Sequence, residues 1–204
     1  MSGNGIHIWW ILSRGTGIAA ILLAGISVMT GLLAGRGRPL RLGGFQDKKP
    51  VHEALSVATI VLVLSHGLLL LADPWLNPGL AGIAVPFQLG YRPFWTGIGI
   101  VAGWGLVVLG LSYYARKWIG PNRWRIAHRF IAVFWILGIF HTFGAGTDGG
   151  ELWLQIPVAL TTLPALILLG MRLSRRPPGS RPAGAGKRPR TGEQERAPAW
   201  LEAV

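Results

Sequence analysis

Four of the five histidines in the chain form two pairs, and each pair brackets a strongly apolar segment. His52 and His66 are separated by fourteen positions, whereas His128 and His141 are separated by thirteen. Neutral imidazole is a common metal ligand, and an ionisable side chain inside an apolar membrane segment is costly and usually functional. The pattern therefore indicates that these histidines ligate a metal or a cofactor, with a proton relay as the alternative.

The segments that carry the histidines are long and apolar enough to cross a membrane. Half of the 204 residues are hydrophobic and only 14% are charged, compared with about 25% charged residues in a soluble domain. A membrane-spanning helix needs about 20 predominantly apolar residues. The sequence therefore predicts an all-α integral membrane protein with a bundle of about five transmembrane helices. The predicted spans are Gly15–Ala34, Ala54–Ala72, Phe94–Ala115, Ile126–Phe143 and Leu152–Met171.

The basic residues lie on alternate sides of these spans. Eighteen of the 20 lysine and arginine residues follow the first, third or fifth span, and only Arg14 and Arg92 lie on the other sides. By the positive-inside rule, we expect a multi-pass protein of the plasma (inner) membrane with the N-terminus outside and the C-terminus in the cytoplasm. The same distribution argues against a nucleic-acid partner, despite the net charge of +12.

Two further segments differ in composition from the spans. The chain divides into a bundle at residues 1–172 and a tail at residues 173–204, which is rich in proline, glycine and basic residues. Because such a tail cannot bury enough apolar surface to offset its ordering entropy, we expect a disordered, basic cytoplasmic segment. The external segment Asp73–Pro93 contains four prolines and is interpreted either as a lid or as a simple tether.

Helix geometry places the histidines of each segment near opposite edges of the membrane. At about 1.5 Å per residue, their separations correspond to roughly 20 Å within a hydrocarbon layer of about 30 Å. Because the second and fourth of five spans are parallel, His52 shares the cytoplasmic level with His128. His66 shares the external level with His141. Two facing imidazoles suit the axial positions of a haem iron, whereas a closed zinc site takes about four ligands.

The angular positions of the histidines agree on the second span but not on the fourth. At about 100° per residue, fourteen steps return to within about 40° of the same helix face, whereas thirteen steps leave an offset of roughly 140°. Either Gly138 permits a distortion of the fourth helix, or two cofactors lie on different sides of that helix. The sequence leaves both alternatives open.

The histidine spacings and the segment "WRIAHRF" around His128 resemble the ferric reductase-like transmembrane domain. Ferric reductases, NADPH oxidases and the haem membrane subunit of bacterial methionine sulfoxide reductase systems share this domain. The resemblance covers roughly residues 9–143 and implies two b-type haems stacked across the membrane. It assigns the inner haem iron to His52 and His128, and the outer haem iron to His66 and His141. The five predicted spans differ from the six that are usual in the family.

Three arginines are candidates for binding haem propionates, Arg14 by the resemblance and Arg125 and Arg129 by their position beside His128. The segment "LSRGTG" is similar to an arginine–glycine pattern in the first span of the family, so Arg14 is a candidate for the outer haem. Snorkelling of this side chain to the lipid headgroups is an equal alternative. Arg125 and Arg129 are candidates for the inner haem, although a role as topology determinants is favoured for both.

The function implied by the resemblance is that of a transmembrane dihaem cytochrome b. Such a protein passes electrons from a cytoplasmic donor, either a separate flavoprotein or a quinol, across the membrane to an external acceptor. Many family members continue into flavin- and nicotinamide-binding domains, which the tail is not expected to provide. We therefore expect an oxidoreductase or electron-transfer subunit whose partners are membrane lipid and separate redox proteins or quinones. The alternative is a transporter or channel that uses the intramembrane histidines as proton relays.

Overall fold

The computed structural model describes residues 8–34 and 48–174, and these two ranges contain helices and turns but no strands. Five of the helical segments are long and apolar enough to span a membrane, so the prediction of an all-α protein with about five spans is confirmed. The helices are α1 (Ile8–Ala34), α2 (Lys48–Leu70), α3 (Gly79–Ala84), α4 (Pro93–Leu111), α5 (Arg116–Ile119), α6 (Pro121–His128), α7 (Ile131–Ala145) and α8 (Leu152–Leu173).

Two parts of the chain that carry predictions lie outside the described residues. The basic loop after the first span, residues 35–47, is one of them. Almost all of the predicted disordered tail, from residue 175 onward, is the other. The predictions of a cytoplasmic loop and a disordered tail therefore remain predictions.

The observed helix boundaries correct the predicted spans at several ends. Helix α1 begins at Ile8 rather than at Gly15, and Arg14 lies inside the helix, where its charge is paired with Asp148 from the segment between α7 and α8. Helix α2 begins at Lys48, before the predicted Ala54. Helix α4 ends at Leu111, and a turn replaces the last part of the predicted third span.

The fourth span consists of two helices, α6 and α7, with a turn at Arg129 and Phe130 between them. Around this turn, four amide groups bond to the carbonyl three residues back, those of Arg129, Phe130, Ala132 and Val133. Such tightened backbone turns about 120° per residue instead of about 100°. Four tightened residues therefore reduce the expected offset between the histidines from roughly 140° to roughly 60°.

Gly138 is not the point of distortion, contrary to the first of the two alternatives. It lies inside the regular helix α7. A Cβ atom built at this position would meet only the Ile21 Cδ1 atom, at 3.4 Å. The local geometry of α7 therefore gives this glycine no special conformational role. The irregular turn that brings both histidines toward α2 comes directly after His128.

The packed centre of the bundle lies between α1, α7 and α8. Trp135 of α7 is 0% exposed and packs in one cluster with Ile21 of α1 and Val158 of α8. Gly25 allows α1 to approach α8, because a Cβ atom there would be 3.1 Å from the Thr161 side chain. Small residues at helix contacts are the usual means of close packing in membranes, where burial of apolar groups provides little driving force. The histidine pairs lie to one side of this cluster, between α2 and the fourth span.

Candidate functional site

The four histidines of α2, α6 and α7 meet as two separate pairs. The ring centroids of His52 and His128 are 6.2 Å apart, and those of His66 and His141 are 6.1 Å apart. The two ring planes of each pair are steeply inclined, at 88° and 73° respectively. The structure thus pairs the histidines that were expected to lie at the same depth in the membrane, and α2 runs parallel to the fourth span.

The separation of the rings within each pair matches that of two imidazoles on opposite sides of one metal ion. A bond from a first-row metal to an imidazole nitrogen is about 2.0–2.1 Å long, as in zinc sites. A corner of a five-membered ring with bonds of about 1.33 Å lies about 1.1 Å from the ring centre. Two coordinating rings therefore have centroids about 6.3 Å apart, close to both observed separations. Each pair therefore has a ring spacing with which its two histidines would hold one iron ion.

Three of the four histidines direct their Nδ1 atoms to backbone carbonyls of neighbouring helices. His66 Nδ1 lies 2.7 Å from the Ser13 carbonyl oxygen, and His52 Nδ1 lies 2.9 Å from that of Ser27. His141 Nδ1 lies 2.9 Å from the carbonyl oxygen of Trp95. A carbonyl can only accept, so Nδ1 carries the proton in each case. The lone pair on Nε2 is then available to a metal, which is the usual arrangement for a ligating histidine.

His128 has different surroundings from the other three histidines. Its Nδ1 atom is buried and forms no hydrogen bond of normal geometry, although the Leu109 backbone interacts with the ring. The indole of Trp124 stacks on the His128 ring with a centroid separation of 4.8 Å and an inclination of 29°. Stacking, rather than a strong hydrogen bond, therefore orients this ring.

A cavity of about 400 Å³ adjoins the pair formed by His66 and His141. Its walls are mainly apolar residues of α1, α2 and α4, together with Gly99 of α4. A side chain at Gly99 would collide with the His141 ring, so glycine is needed for the ring to occupy its position. The cavity is a largely apolar space with two imidazoles in its wall, which suits a flat, mainly apolar cofactor such as a porphyrin.

The segment between α2 and α4 covers this cavity. Leu76, Gly82 and Leu89 of the segment line the cavity wall. The segment is attached to α4, because the Trp104 indole donates a hydrogen bond of 2.8 Å to the Ala84 carbonyl. At its other end, Arg92 donates a hydrogen bond of 2.7 Å to the carbonyl of Gly144. The structure thus places this segment against the cavity, and the two sequence-based interpretations, a lid and a tether, stay predictions.

Arg14 lines the same cavity but is already engaged by other residues. Its guanidinium forms an ion pair with the carboxylate of Asp148 and lies 4.8 Å from the centre of the Trp10 ring. The ion pair is partly exposed, since the side chains retain 33% and 15% of their accessible surface. Arg14 and His66 line the same cavity, and the role of Arg14 in binding a propionate stays a prediction. Asp148 is a partner that the sequence did not indicate.

The arginines near His128 do not converge on the inner pair. Arg125 is exposed and bonds within its own helix, to the Asn122 side chain at 2.9 Å and to the Pro121 carbonyl. Arg129 follows His128 directly in the chain and is also exposed. Outside the spans, the hydrogen bond from Tyr114 to the carboxylate of Glu53 raises the pKa of that phenol.

Sequence reasoning overlooked the residues that orient the histidines. Ser13 and Ser27 carry no charge and lie in an apolar helix, so nothing in their type marked them as functional, and Trp95 contributes only a backbone carbonyl. A usable signal was present, since the two serines have the same separation along the chain as His52 and His66.

A family model described as "Ferric reductase like transmembrane component" matches residues 16–139. The matched range is more than half of the chain and includes His52, His66 and His128, whereas His141 lies just beyond its end. The comparison with curated proteins gave no match. The comparison with solved structures gave none either.

Proposed function

The chain belongs to the family of ferric reductase-like transmembrane components, and we propose that it is a membrane-spanning cytochrome b with two haem sites. In this proposal the protein transfers electrons from a donor on the cytoplasmic side to an acceptor on the outside. The donor is a separate flavoprotein or a quinol. His52 and His128 hold the inner haem, and His66 and His141 hold the outer haem.

The observation that carries the proposal is the separation of the imidazole rings, 6.2 Å in one pair and 6.1 Å in the other. Bound haem would supply reversible one-electron chemistry at each level. Two histidines would hold the iron at each level, so outer-sphere electron transfer would be favoured over binding of a substrate at the iron. The carbonyls of Ser13 and Ser27 hold the Nδ1 protons of His66 and His52 and thereby fix both ring orientations.

The lid and the apolar walls give the outer site a low-polarity environment. In this proposal the segment at residues 73–92, which contributes to the cavity wall, acts as a lid over the outer haem. Arg14 is the one lysine or arginine among the described residues that line the cavity. In this proposal its guanidinium binds a propionate of the outer haem. The propionate either replaces Asp148 as the partner of Arg14 or binds beside it. Hydrogen bonding, burial and local charge are the protein's means of setting a haem potential.

The spectrum of the purified protein tests the proposal. Protein purified with its haem should show the absorption of low-spin ferric haem, and reduction by dithionite should produce sharp bands of a b-type cytochrome. Extraction of the haem should give two haems per chain. The proton-relay alternative expects a colourless protein in which the histidines stay unligated. A colourless protein from cells with ample haem would refute the cytochrome proposal.

Orientation in the membrane is part of the proposal and rests on the distribution of basic residues. Arg116, Lys117 and Arg123 lie in α5 and α6, at the end of the bundle occupied by His52 and His128. The positive-inside rule then assigns this end to the cytoplasm. A reporter fused after Val204 should therefore be active only in the cytoplasm, and one fused before Met1 only outside. Reporters on the same side would contradict both the orientation and the five-span arrangement.

A further inference from the structure

Helix α1 contains the same five-residue pattern twice. The segment "SRGTG" occupies residues 13–17, and "SVMTG" occupies residues 27–31, so serine, threonine and glycine recur at identical positions. The offset between the two copies equals the separation of His52 and His66 on α2. Because α1 and α2 pack side by side in opposite directions, the first copy meets His66 and the second copy meets His52.

The first copy of the pattern places two hydrogen-bonding groups of Ser13 against His66 and supports them with Thr16. The Ser13 carbonyl lies 2.7 Å from Nδ1 of His66, and the Ser13 hydroxyl lies 3.0 Å from the same nitrogen. That hydroxyl donates its proton to the His66 backbone carbonyl at 2.8 Å. The Thr16 hydroxyl donates to the Ser13 carbonyl at 2.8 Å. Ser13 is 1% exposed, so these bonds form away from water.

The second copy repeats this arrangement at His52 with one additional serine. The Ser27 carbonyl lies 2.9 Å from Nδ1 of His52, and the Ser27 hydroxyl lies 3.2 Å from it. Here the hydroxyl of Ser27 lies 2.9 Å from that of Ser56, which in turn donates to the His52 carbonyl at 2.7 Å. The Thr30 hydroxyl donates to the Ser27 carbonyl at 2.9 Å.

The glycine that ends each copy leaves room for the imidazole. A Cβ atom at Gly17 would lie 2.8 Å from the His66 ring, and one at Gly31 would lie 2.9 Å from the His52 ring. Both distances are shorter than side-chain carbon atoms tolerate, so a methyl group would displace the rings. By contrast, a Cβ atom at Gly15 would have no neighbour within 4 Å.

We infer that the repeated pattern in α1 positions the two ligand histidines of α2, with one copy for each haem. This inference rests on the proposed function. The carbonyl of each serine keeps the proton on Nδ1, and the hydroxyl beside the same nitrogen restrains the ring. The glycine allows the ring to lie against α1. A hydrogen bond to the rear nitrogen of a ligating imidazole raises its basicity, so each copy acts on the potential of one haem.

Serine replacements distinguish this role from simple helix packing. Ser13→Ala retains the backbone carbonyl but removes the hydroxyl that lies 3.0 Å from Nδ1 of His66. It should therefore shift the midpoint potential and the low-spin EPR signal of the outer haem and leave those of the inner haem unchanged. Ser27→Ala should affect the inner haem alone. Thr in place of either serine retains a hydroxyl and should restore the potential toward that of the wild type. If the serines only pack the helices together, their replacement should instead lower the stability of the protein without changing the potential of one haem alone.

Glycine replacements provide a matched pair of variants in the same helix. Gly17→Ala should lose the outer haem and retain the inner one, whereas Gly15→Ala should keep both haems. Haem per chain and redox titration of each variant are the measurements. If Gly17→Ala does not accumulate in the membrane, the serine variants decide the question.

Three outcomes would overturn the inference. The first is that the serine variants change the midpoint potential of neither haem. The second is that they change the midpoint potentials of both haems equally. The third is that Gly15→Ala loses haem as Gly17→Ala does. A wild-type protein without haem would refute the proposed function itself. If the wild-type protein binds two haems and the serine and glycine variants keep the same haem content and midpoint potentials, only the positioning role is refuted.

Discussion

His66→Ala should remove the outer haem and leave the inner haem bound, and His141→Ala should cause the same loss. The rings of these two residues have the separation of two imidazoles on one metal ion, so the loss of either ligand breaks the site. His52→Ala and His128→Ala should likewise share one defect, the loss of the inner haem. The measurements are haem per chain and redox titration of each purified variant.

Double variants provide the sharper comparison. Two replacements within one pair should have little more effect than one, because residues that act as a unit are strongly non-additive. One replacement from each pair should remove both haems. His52→Ala and His128→Ala variants that lose different haems would contradict the assignment of ligands. Retention of both haems by all four single variants would refute histidine ligation altogether.

Trp135→Ala should be the most destabilising single change in the packed centre of the bundle. The side chain is 0% exposed and lies among residues of α1 and α8. In soluble cores a Trp→Ala change costs about 3–5 kcal/mol. In a membrane the transfer contribution is small and the cavity contribution remains, so a loss of about 3 kcal/mol is expected. The measurement is reversible unfolding of the protein in detergent.

Two further variants serve as controls for Trp135→Ala. Trp135→Phe retains most of the volume and removes an indole N–H that has no hydrogen-bond partner, so its cost should stay below about 1.5 kcal/mol. Trp153 of α8 is 54% exposed, and Trp153→Ala should change the stability by no more than about 0.5 kcal/mol. A Trp135→Ala variant as stable as Trp153→Ala would show that α7 does not pack as described.

The sequence was sufficient to predict the number of spans and the partners within each histidine pair. Long apolar runs identify membrane helices because every backbone polar group in lipid must be bonded within its own segment. The fixed rise per residue of an α-helix then sets the depth of each histidine. Since alternate spans are parallel, depth alone matched His52 with His128 and His66 with His141, as the ring contacts in the structure have them.

The tertiary structure alone decided how the rings are aimed and what surrounds them. The tightened turn after His128 contains no glycine or proline, so the sequence did not indicate it. The distortion considered at Gly138 is absent from that position, because helix distortion depends on packing as well as on residue type. Arg14 and Asp148, which form an ion pair, are 134 positions apart in the sequence. The contacts of Ser13 and Ser27 with the histidines likewise depend on which face of α1 meets α2. Depth follows from consecutive residues in one helix, whereas lateral contacts arise only when separate helices pack, and no local periodicity encodes them.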